Sequence, residues 1–333
     1  MPSSLPESSA ADSRQEQTES EANEATAVSN KQWRRGLLWA LLSPVFLGFL
    51  PILAKLAYGT GADVLTVVAA RTVFAAMLLW AGMLLFGRHL IRSSSIAILS
   101  SMVAGAINGI GSLFFYASLT RIDASMGQLI NIVYLIFVTL ILRLAGHTIS
   151  ALTFFRIGLT IFAIYLLTVG GLGEPDWVGV VMMLIAALTY AIQLVFSQRI
   201  MLDIPAPTMT LYAITAMALV VSGAWFVFPD KGSAVTAQGW QFILLMGLAT
   251  ALSRLTLFLG VKTLGSIQTA LLGVFEIIVT IIIAIILLDE HFTIIQWLGA
   301  LLIIISILLV QFERNVPQGL DWWQIIWRWR IRK

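Results

Sequence analysis

Ten long apolar segments, separated by short polar or glycine-rich breaks, make up most of this 333-residue chain. A helix needs roughly 20 apolar residues to cross about 30 Å of hydrocarbon. Hydrophobic residues form 59% of the chain and charged residues 11%, against about 25% charged in a soluble domain. The sequence therefore predicts an all-α membrane protein in a lipid bilayer, with ten transmembrane helices at 36–58, 64–87, 96–119, 124–144, 151–171, 177–199, 207–228, 241–262, 266–288 and 293–312.

Basic residues are distributed unevenly between the segments, and this asymmetry predicts how the helices are oriented. If the N-terminus is cytoplasmic, the opposite side of the membrane receives only Arg121 and Lys231 among the loop cations. We therefore expect a multi-pass protein of the plasma (cell inner) membrane with both termini in the cytoplasm. The cytoplasmic cations are then Lys31, Arg34, Arg35, Arg88, Arg92, Arg143, Arg199, Lys262, Arg314, Arg328, Arg330, Arg332 and Lys333.

The two ends of the chain differ from its apolar body. Residues 1–30 contain seven serines, six acidic residues and no aromatic residue. Such a segment buries too little apolar surface to fold, so we predict a disordered acidic tail. Residues 313–333 end in DWWQIIWRWRIRK, and tryptophan and arginine favour the headgroup region of the membrane. We expect a basic interfacial tail there, with a frayed tail as the alternative.

An internal repeat divides the apolar body. SMGQLINIVYLIFVTLILRLAGH, residues 125–147, aligns with QTALLGVFEIIVTIIIAIILLDE, residues 268–290, at an offset of 143 residues. At a similar offset, Lys55 stands opposite Arg199. Five predicted spans fall in each half, and an odd number makes the second half enter the membrane from the opposite side. The sequence thus predicts two inverted five-helix repeats, typical of alternating-access transporters, at 31–172 and 173–312.

The second repeat carries motifs of a known family. It reads FEI…LLDE and then IIQWLGALLIIISILL, which resembles the EamA-type ten-helix permeases of the drug/metabolite transporter (DMT) superfamily. Glu276 and Glu290 match two glutamates of the family pattern, while Ile277 stands in place of a proline. The resemblance covers roughly residues 36–312 and implies a ten-helix permease with a central cavity. The first repeat departs from the pattern at the three corresponding positions, Val133, Tyr134 and His147.

Charged side chains inside the predicted spans are candidates for function, because a charge at the bilayer centre costs roughly 2.5–3.5 kcal/mol and normally faces protein or water. Lys55 is close enough to a span end that reaching the headgroups is an equally good interpretation. Arg156, also near an end, is expected to extend to the headgroups. Glu290 is expected to be a solvated group at a helix end. The intramembrane set is therefore Lys55, Arg71, Arg254 and Glu276.

Polar residues recur at helical spacing on several spans and so share one face of each helix. If these faces converge, spans one to four and six to nine line a polar cavity, and spans five and ten lie outside it. Hydrogen bonding between helices is the alternative role for each face. GAING at 105–109 instead predicts close helix packing. The predicted substrate pathway consists of Glu276, Arg254, Arg71, Asn108, Ser112, Tyr116, Gln128, Asn131, Tyr134, Tyr190 and Gln193.

Two roles remain open for Glu276: pairing with a cation, of which Arg254 is the first candidate, or carrying a proton. Three cations against one acid within the spans favour a solute with a carboxylate or phosphate, anionic or zwitterionic. We expect a secondary transporter, an exporter or permease, that moves a small metabolite or amino-acid-like solute by alternating access. The alternative is a lipid-handling or flippase-like membrane protein of the same fold.

Several other classes of protein lack support in the sequence. Paired aspartates, a Ser–His pair, an HExxH helix and GxxxxGK[ST] are all absent, so neither an enzyme nor an ATP-driven pump is predicted. The chain has no cysteine, which excludes thiolate metal sites. We expect no cofactor, no metal and no nucleic-acid partner. Proton coupling and assembly as a homodimer are kept as options.

Overall fold

The computed structural model describes residues 38–39, 41–144, 151–171, 174–228, 235–264 and 274–309. Within these ranges the chain forms α-helices, one short 3-10 turn and no strand. The acidic tail and the basic interfacial tail lie outside the described residues. The helices are α1 (Leu41–Gly59), α2 (Val64–Phe86), α3 (Ser95–Ser118), α4 (Ala124–Asn131), α5 (Tyr134–Leu144), α6 (Ala151–Val169), α7 (Trp177–Ile200), α8 (Ala206–Val227), α9 (Ala237–Leu264), α10 (Val274–Leu287) and α11 (Ile294–Leu308).

Eight stretches in the described ranges are long and apolar enough to cross a membrane, and they correspond to the first eight predicted spans. The fourth is α4 and α5 together, interrupted by a turn at Ile132 and Val133. The ninth and tenth predicted spans appear as two shorter apolar helices, Phe275–Leu287 and Ile294–Leu308. Each of these two borders residues outside the described ranges, so the full count of ten stays a prediction.

Polar side chains at the span ends fix where several helices begin. The Asp63 carboxylate accepts from the Thr66 backbone N–H at the start of α2, at 2.9 Å. Thr293 and Gln296 form a reciprocal capping box at the start of α11. Such caps satisfy backbone N–H groups that the first helical turn leaves without partners. They place the helix starts at the polar breaks from which the spans were predicted.

The last helix of each repeat packs against its counterpart in the opposite direction. Near the end of α6, the Gly170 carbonyl accepts a 2.6 Å hydrogen bond from Thr293 Oγ1 at the start of α11. Near the start of α6, Arg156 Nε donates to the Ser306 carbonyl near the end of α11, at 2.9 Å. The two helices therefore run antiparallel.

The second helix of each repeat shows the same relation. Trp225 Nε1, near the end of α8, donates to Thr66 Oγ1 at the start of α2, at 2.9 Å. Trp80 Nε1, towards the end of α2, donates to Thr215 Oγ1 in the first half of α8, at 3.0 Å. The helix contacts follow the same symmetry. The third helix of each repeat packs against the second helix of the other repeat, in the pairs α3 with α8 and α9 with α2. Equivalent helices run in opposite directions, as an inverted repeat requires.

Arg156 occupies a different place from the one predicted. It is 1% exposed and lies between α6 and α11, where its guanidinium donates to the Ser306 carbonyl. The Ser306 hydroxyl lies 2.8 Å from the Thr160 hydroxyl and bonds to the Arg156 carbonyl. The expectation that Arg156 reaches the headgroups is wrong, because the facing helix supplies a buried polar partner close to it.

The prediction that GAING packs closely is confirmed at the contact between α3 and α8. A Cβ added to Gly105 would overlap the backbone carbonyl of Ala213. A Cβ on Gly109 would come within 3.1 Å of Val220 and 3.3 Å of the Met217 Cα. Small residues let membrane helices approach until their backbones touch. This contact joins the first repeat to the second and helps to position the polar face of α3.

Candidate functional site

A cavity lies between the two repeats, and the space free of protein atoms, counted together with its opening to solvent, is about 560 Å³. Its walls come from α1, α2, α3 and α4 of the first repeat and from α7, α9 and α10 of the second. Polar groups from both repeats face the same space, so a bound solute would touch both. The lining residues are Leu47, Leu50, Arg71, Asn108, Gly111, Ser112, Phe115, Tyr116, Asn131, Ala186, Tyr190, Thr250, Arg254 and Glu276.

Arg71 is held in place by side chains of both repeats. Its Nη1 donates to Thr250 Oγ1 on α9 at 2.9 Å, and its Nη2 donates to Ser112 Oγ on α3 at 2.6 Å. The guanidinium carbon lies 4.3 Å from the centre of the Tyr116 ring, in cation–π geometry. Arg71 is 2% exposed, and its Nε has no hydrogen-bond partner among the described residues. Two of its three guanidinium nitrogens thus donate to protein side chains.

Arg254 contacts Tyr190 and leaves more of its guanidinium nitrogens without a protein partner than Arg71 does. Its guanidinium carbon lies 5.2 Å from the centre of the Tyr190 ring. Its Nε and Nη1 atoms are buried and have no hydrogen-bond partner within the described part of the chain. A buried donor without a partner carries a substantial desolvation cost, so the arrangement favours a ligand that accepts from it.

Glu276 lines the same cavity and is 6% exposed. An ion pair requires a carboxylate oxygen within 4.0 Å of a basic nitrogen. The Glu276 carboxylate and the Arg254 guanidinium, both in the described ranges, are farther apart than this. The Gln128 amide lies beside the Glu276 carboxylate but does not complete a well-formed hydrogen bond. The Arg254–Glu276 pair is therefore not formed in this conformation, although both groups face one space.

The structure brings most of the predicted pathway residues to the cavity. Three predicted residues lie beside it instead. Gln128 and Gln193 are buried in helix contacts, and Tyr134 packs edge-on against Tyr190 with ring centres 4.7 Å apart. The eight that line the cavity are Glu276, Arg254, Arg71, Asn108, Ser112, Tyr116, Asn131 and Tyr190.

The predicted set of pathway residues omitted several residues that line the cavity, and the predicted set of lining helices included one helix, α8, that does not line it. Thr250 lies four residues before Arg254 on the eighth span and accepts a hydrogen bond from Arg71. Apolar lining residues such as Leu50 and Phe115 carry no polar signal that separates them from lipid-facing side chains. Among the described residues, the lining includes none from α6 or α11, as predicted, and none from α8, where a contribution was expected.

The environment of Glu290 also differs from the one predicted. It was expected to be solvated, but its side chain is only 8% exposed. Both carboxylate oxygens accept backbone N–H bonds at the start of α4, from Ala124 at 2.8 Å and from Ser125 at 3.0 Å. This contact could not be predicted from the sequence, because the partners are more than 160 residues away in the chain.

A polar recess lies near the connection between α3 and α4. Arg121 Nη1 donates to Asp176 Oδ2 at 3.0 Å, which links the first repeat to the start of α7. The Gly179 backbone N–H, and after it the Arg121 guanidinium, hold the pKa of the Asp176 carboxyl below its usual value. In the part of the chain that the structure describes, no three His, Cys, Asp or Glu side chains cluster tightly enough to hold a metal ion.

The apolar helices, the antiparallel repeats and the shared polar cavity define a multi-pass membrane protein of the transporter class. The chain belongs to the EamA-like transporter family, which matches residues 34–169 and 177–312. Each matched segment corresponds closely to one predicted repeat. Membership in this family assigns the protein to membrane transport of a small solute.

Individual relatives add detail on the fold. A Sinorhizobium protein described as an uncharacterized transporter in the cobO 3' region is 29% identical over 103 residues, which is 31% of this chain and 70% of the relative. A solved crystal structure covers 84% of this chain and 97% of its own, with a TM-score of 0.60 and 13% identity. At that identity the likeness concerns the fold alone.

Proposed function

We propose that the protein is a secondary transporter that moves a small solute bearing a carboxylate or phosphate group through the cavity between its two repeats. The observation that carries the proposal is Arg254, which lines the shared cavity and whose buried Nε and Nη1 donors lack a partner among the described residues. An oxyanion accepts charge-assisted hydrogen bonds from such donors. Arg71, anchored to Ser112 and Thr250, then adds positive potential without being the main ligand.

The charge balance of the lining supports an anionic group on the solute. Arg71 and Arg254 supply two positive charges, and Glu276 is the one carboxylic acid among the lining residues. Neither arginine has an acidic partner within 4.0 Å in the described ranges. A zwitterionic, amino-acid-like solute fits this arrangement as well, with its ammonium group towards Glu276. Tyr116 and Tyr190 offer aromatic faces to the rest of the solute.

Alternating access follows from the inverted repeats in this proposal. The cavity is shared by helices of both halves, so rocking one half against the other would expose it to each side of the membrane in turn. The charge asymmetry of the loops orients both termini towards the cytoplasm in the plasma membrane. Assembly as a homodimer is compatible with this mechanism but is not required by it.

The direct test is uptake into proteoliposomes that contain the purified protein. A panel of labelled amino acids, other carboxylates and organic phosphates is compared with uncharged analogues. We expect saturable uptake of at least one anionic or zwitterionic solute and none of its amide or ester analogue. If only fluorescent phospholipids cross the bilayer and no panel solute does, the flippase-like alternative replaces this proposal.

Glu276 is expected to carry the coupling proton, because it is a buried acid in the cavity without an ion pair to either arginine. Glu276→Gln should then abolish the stimulation of uptake by a pH gradient. Exchange of labelled for unlabelled solute at equal pH should continue, since exchange needs no net proton movement. Uptake is measured in proteoliposomes with and without the gradient.

The matched control for this variant is Glu174→Gln, the same chemical change at an exposed acid outside the spans. It should keep the full response to the gradient. An unchanged response in Glu276→Gln would show that this residue does not carry the proton.

A further inference from the structure

Glu290 caps a helix that belongs to the other repeat. Asp123 stands at the N-cap position of α4, but its side chain makes no capping hydrogen bond. Glu290, which precedes α11 in the second repeat, supplies the missing acceptors to the backbone N–H groups of Ala124 and Ser125. The first turn of a helix has free N–H groups and a partial positive charge, so a carboxylate stabilises it there. The start of α4 thus depends on a side chain from the opposite half.

Lys55, near the end of α1, completes a charged cluster at the same place. Its Nζ lies 3.5 Å from Asp123 Oδ1 and 3.9 Å from Glu290 Oε1. Lys55, Asp123 and Glu290 are called the clasp from here on. The Lys55 and Glu290 side chains are 23% and 8% exposed, so solvent screens their interaction less than it screens an ordinary surface pair. The clasp ties α1 and α4 of the first repeat to the second repeat.

An apolar layer joins the same helices as the clasp. Ile52 on α1, Ala124 on α4 and Ala284 on α10 are 0–1% exposed and form one buried cluster. Leu56 and Leu288 pack against it. Opening the cavity between α1, α4 and α10 would require both this layer and the clasp to separate. The apolar layer alone is short and consists partly of alanine, so the charged contacts carry much of the closure.

The second copy of the repeat does not carry the clasp residues at the equivalent sequence positions. Under the repeat alignment, Arg199 corresponds to Lys55 and His147 to Glu290. Ser266 corresponds to Asp123 by the same offset. The basic position is kept, but both carboxylates are replaced, so the cation has no acid to pair with at these positions. Residues 147 and 266 lie outside the described ranges, and this comparison rests on the sequence.

We propose that the clasp is a one-sided gate lock, in which Glu290 acts as a positioning residue that holds α4 and α1 against the second repeat and keeps the cavity shut on that side. The proposal rests on the transport function proposed above. Each cycle must release Glu290 from Ala124 and Ser125 N–H groups and from Lys55. These contacts therefore bias the equilibrium between the two access states towards the state that is closed at the clasp.

The test uses the natural absence of cysteine from the chain. Leu50→Cys places a single thiol in the cavity wall, and its reaction with a charged, membrane-impermeant thiol reagent reports access from each side. In the Leu50→Cys background, Glu290→Ala should raise the labelling rate from the clasp side about tenfold, the scale set by loss of a helix cap and a partly buried ion pair. Labelling from the other side should stay equal or fall. Vesicles of both orientations supply the two measurements.

Two further variants separate the contacts and guard against misfolding. Lys55→Met removes the ion pairs but leaves the cap, so its increase should be smaller than that of Glu290→Ala. Glu290→Gln keeps one oxygen that can accept from the helix N–H groups. Its increase in labelling rate should lie between those of Lys55→Met and Glu290→Ala. Asp289→Asn is the matched control, because Asp289 is adjacent, 93% exposed and should leave labelling unchanged.

Two outcomes would overturn the proposal: equal labelling from the clasp side in all variants, or a rise from both sides alike, which would indicate a loosened fold. Labelling needs no solute and no transport. The two proposals can therefore fail separately. If only the transport proposal is wrong, the labelling pattern is still observed but no solute is taken up.

Discussion

Arg254→Met is expected to reduce solute uptake in proteoliposomes about a hundredfold, since each lost hydrogen bond to a charged group is worth about 1.5–3 kcal/mol. Arg254 lines the cavity, and its buried Nε and Nη1 have no hydrogen-bond partner among the described residues. No carboxylate within 4.0 Å in those ranges depends on it, so the substitution leaves no unpaired acid next to the removed charge. The loss should therefore appear in transport and not in the yield of folded protein. Methionine keeps a similar length and fills the space beside Tyr190.

Arg88→Gln is the control for this variant. Arg88 is an exposed arginine after the end of α2, and its Nε donates to the Leu84 carbonyl of the preceding turn. Its replacement removes one positive charge from the protein without touching the cavity, and uptake should stay near the unmodified level. Similar uptake in Arg254→Met and Arg88→Gln would contradict the role assigned to Arg254.

Gly105→Ala is expected to lower the free energy of unfolding by about 1–3 kcal/mol, the usual cost of forcing an extra group into a packed contact. The loss should lie at the upper end of this range because the neighbouring group is rigid. The added Cβ would overlap the Ala213 carbonyl, which is backbone and cannot rotate away. The α3 and α8 helices must then move apart, and the cavity residues of α3 move with them. The melting temperature in detergent, followed by size-exclusion chromatography of heated samples, measures the effect.

Gly223→Ala provides the comparison within the same helix pair. Gly223 lies on α8 with nothing within 4 Å of its added Cβ. There the higher helix propensity of alanine, up to about 1 kcal/mol over glycine, should leave stability unchanged or raise it. Equal melting temperatures for the two variants would mean that α3 and α8 do not touch at Gly105.

Much of the helical layout was predictable because membrane insertion imposes a simple rule on the sequence. A span must be apolar for its full length, so the first eight described spans lie close to their predicted limits. The odd number of predicted spans in each repeat anticipated that equivalent helices would run antiparallel. Caps such as Asp63 and Thr293 could be found from sequence alone, since their partners lie three residues away.

The site was only partly predictable, because residue spacing fixes the face of a helix but not what that face meets. Arg71, Ser112 and Arg254 reach the cavity as expected. Gln193 shares a face with Tyr190 but turns into a helix contact, where it is 2% exposed. The errors at Arg156 and Glu290 have a common origin, since both were judged by distance from a span end. Their partners are brought close only by packing of the two repeats.

The most direct test of the central claim is ligand-dependent stabilisation of the purified protein against heat. Wild-type protein and Arg254→Met are heated with each member of the metabolite panel and with uncharged analogues. If Arg254 binds the anionic group of the solute in the cavity, a solute with a carboxylate or phosphate should raise the melting temperature of the wild type. This shift should disappear in Arg254→Met. Stabilisation only by solutes that lack an anionic group, or an equal shift in both proteins, would contradict it.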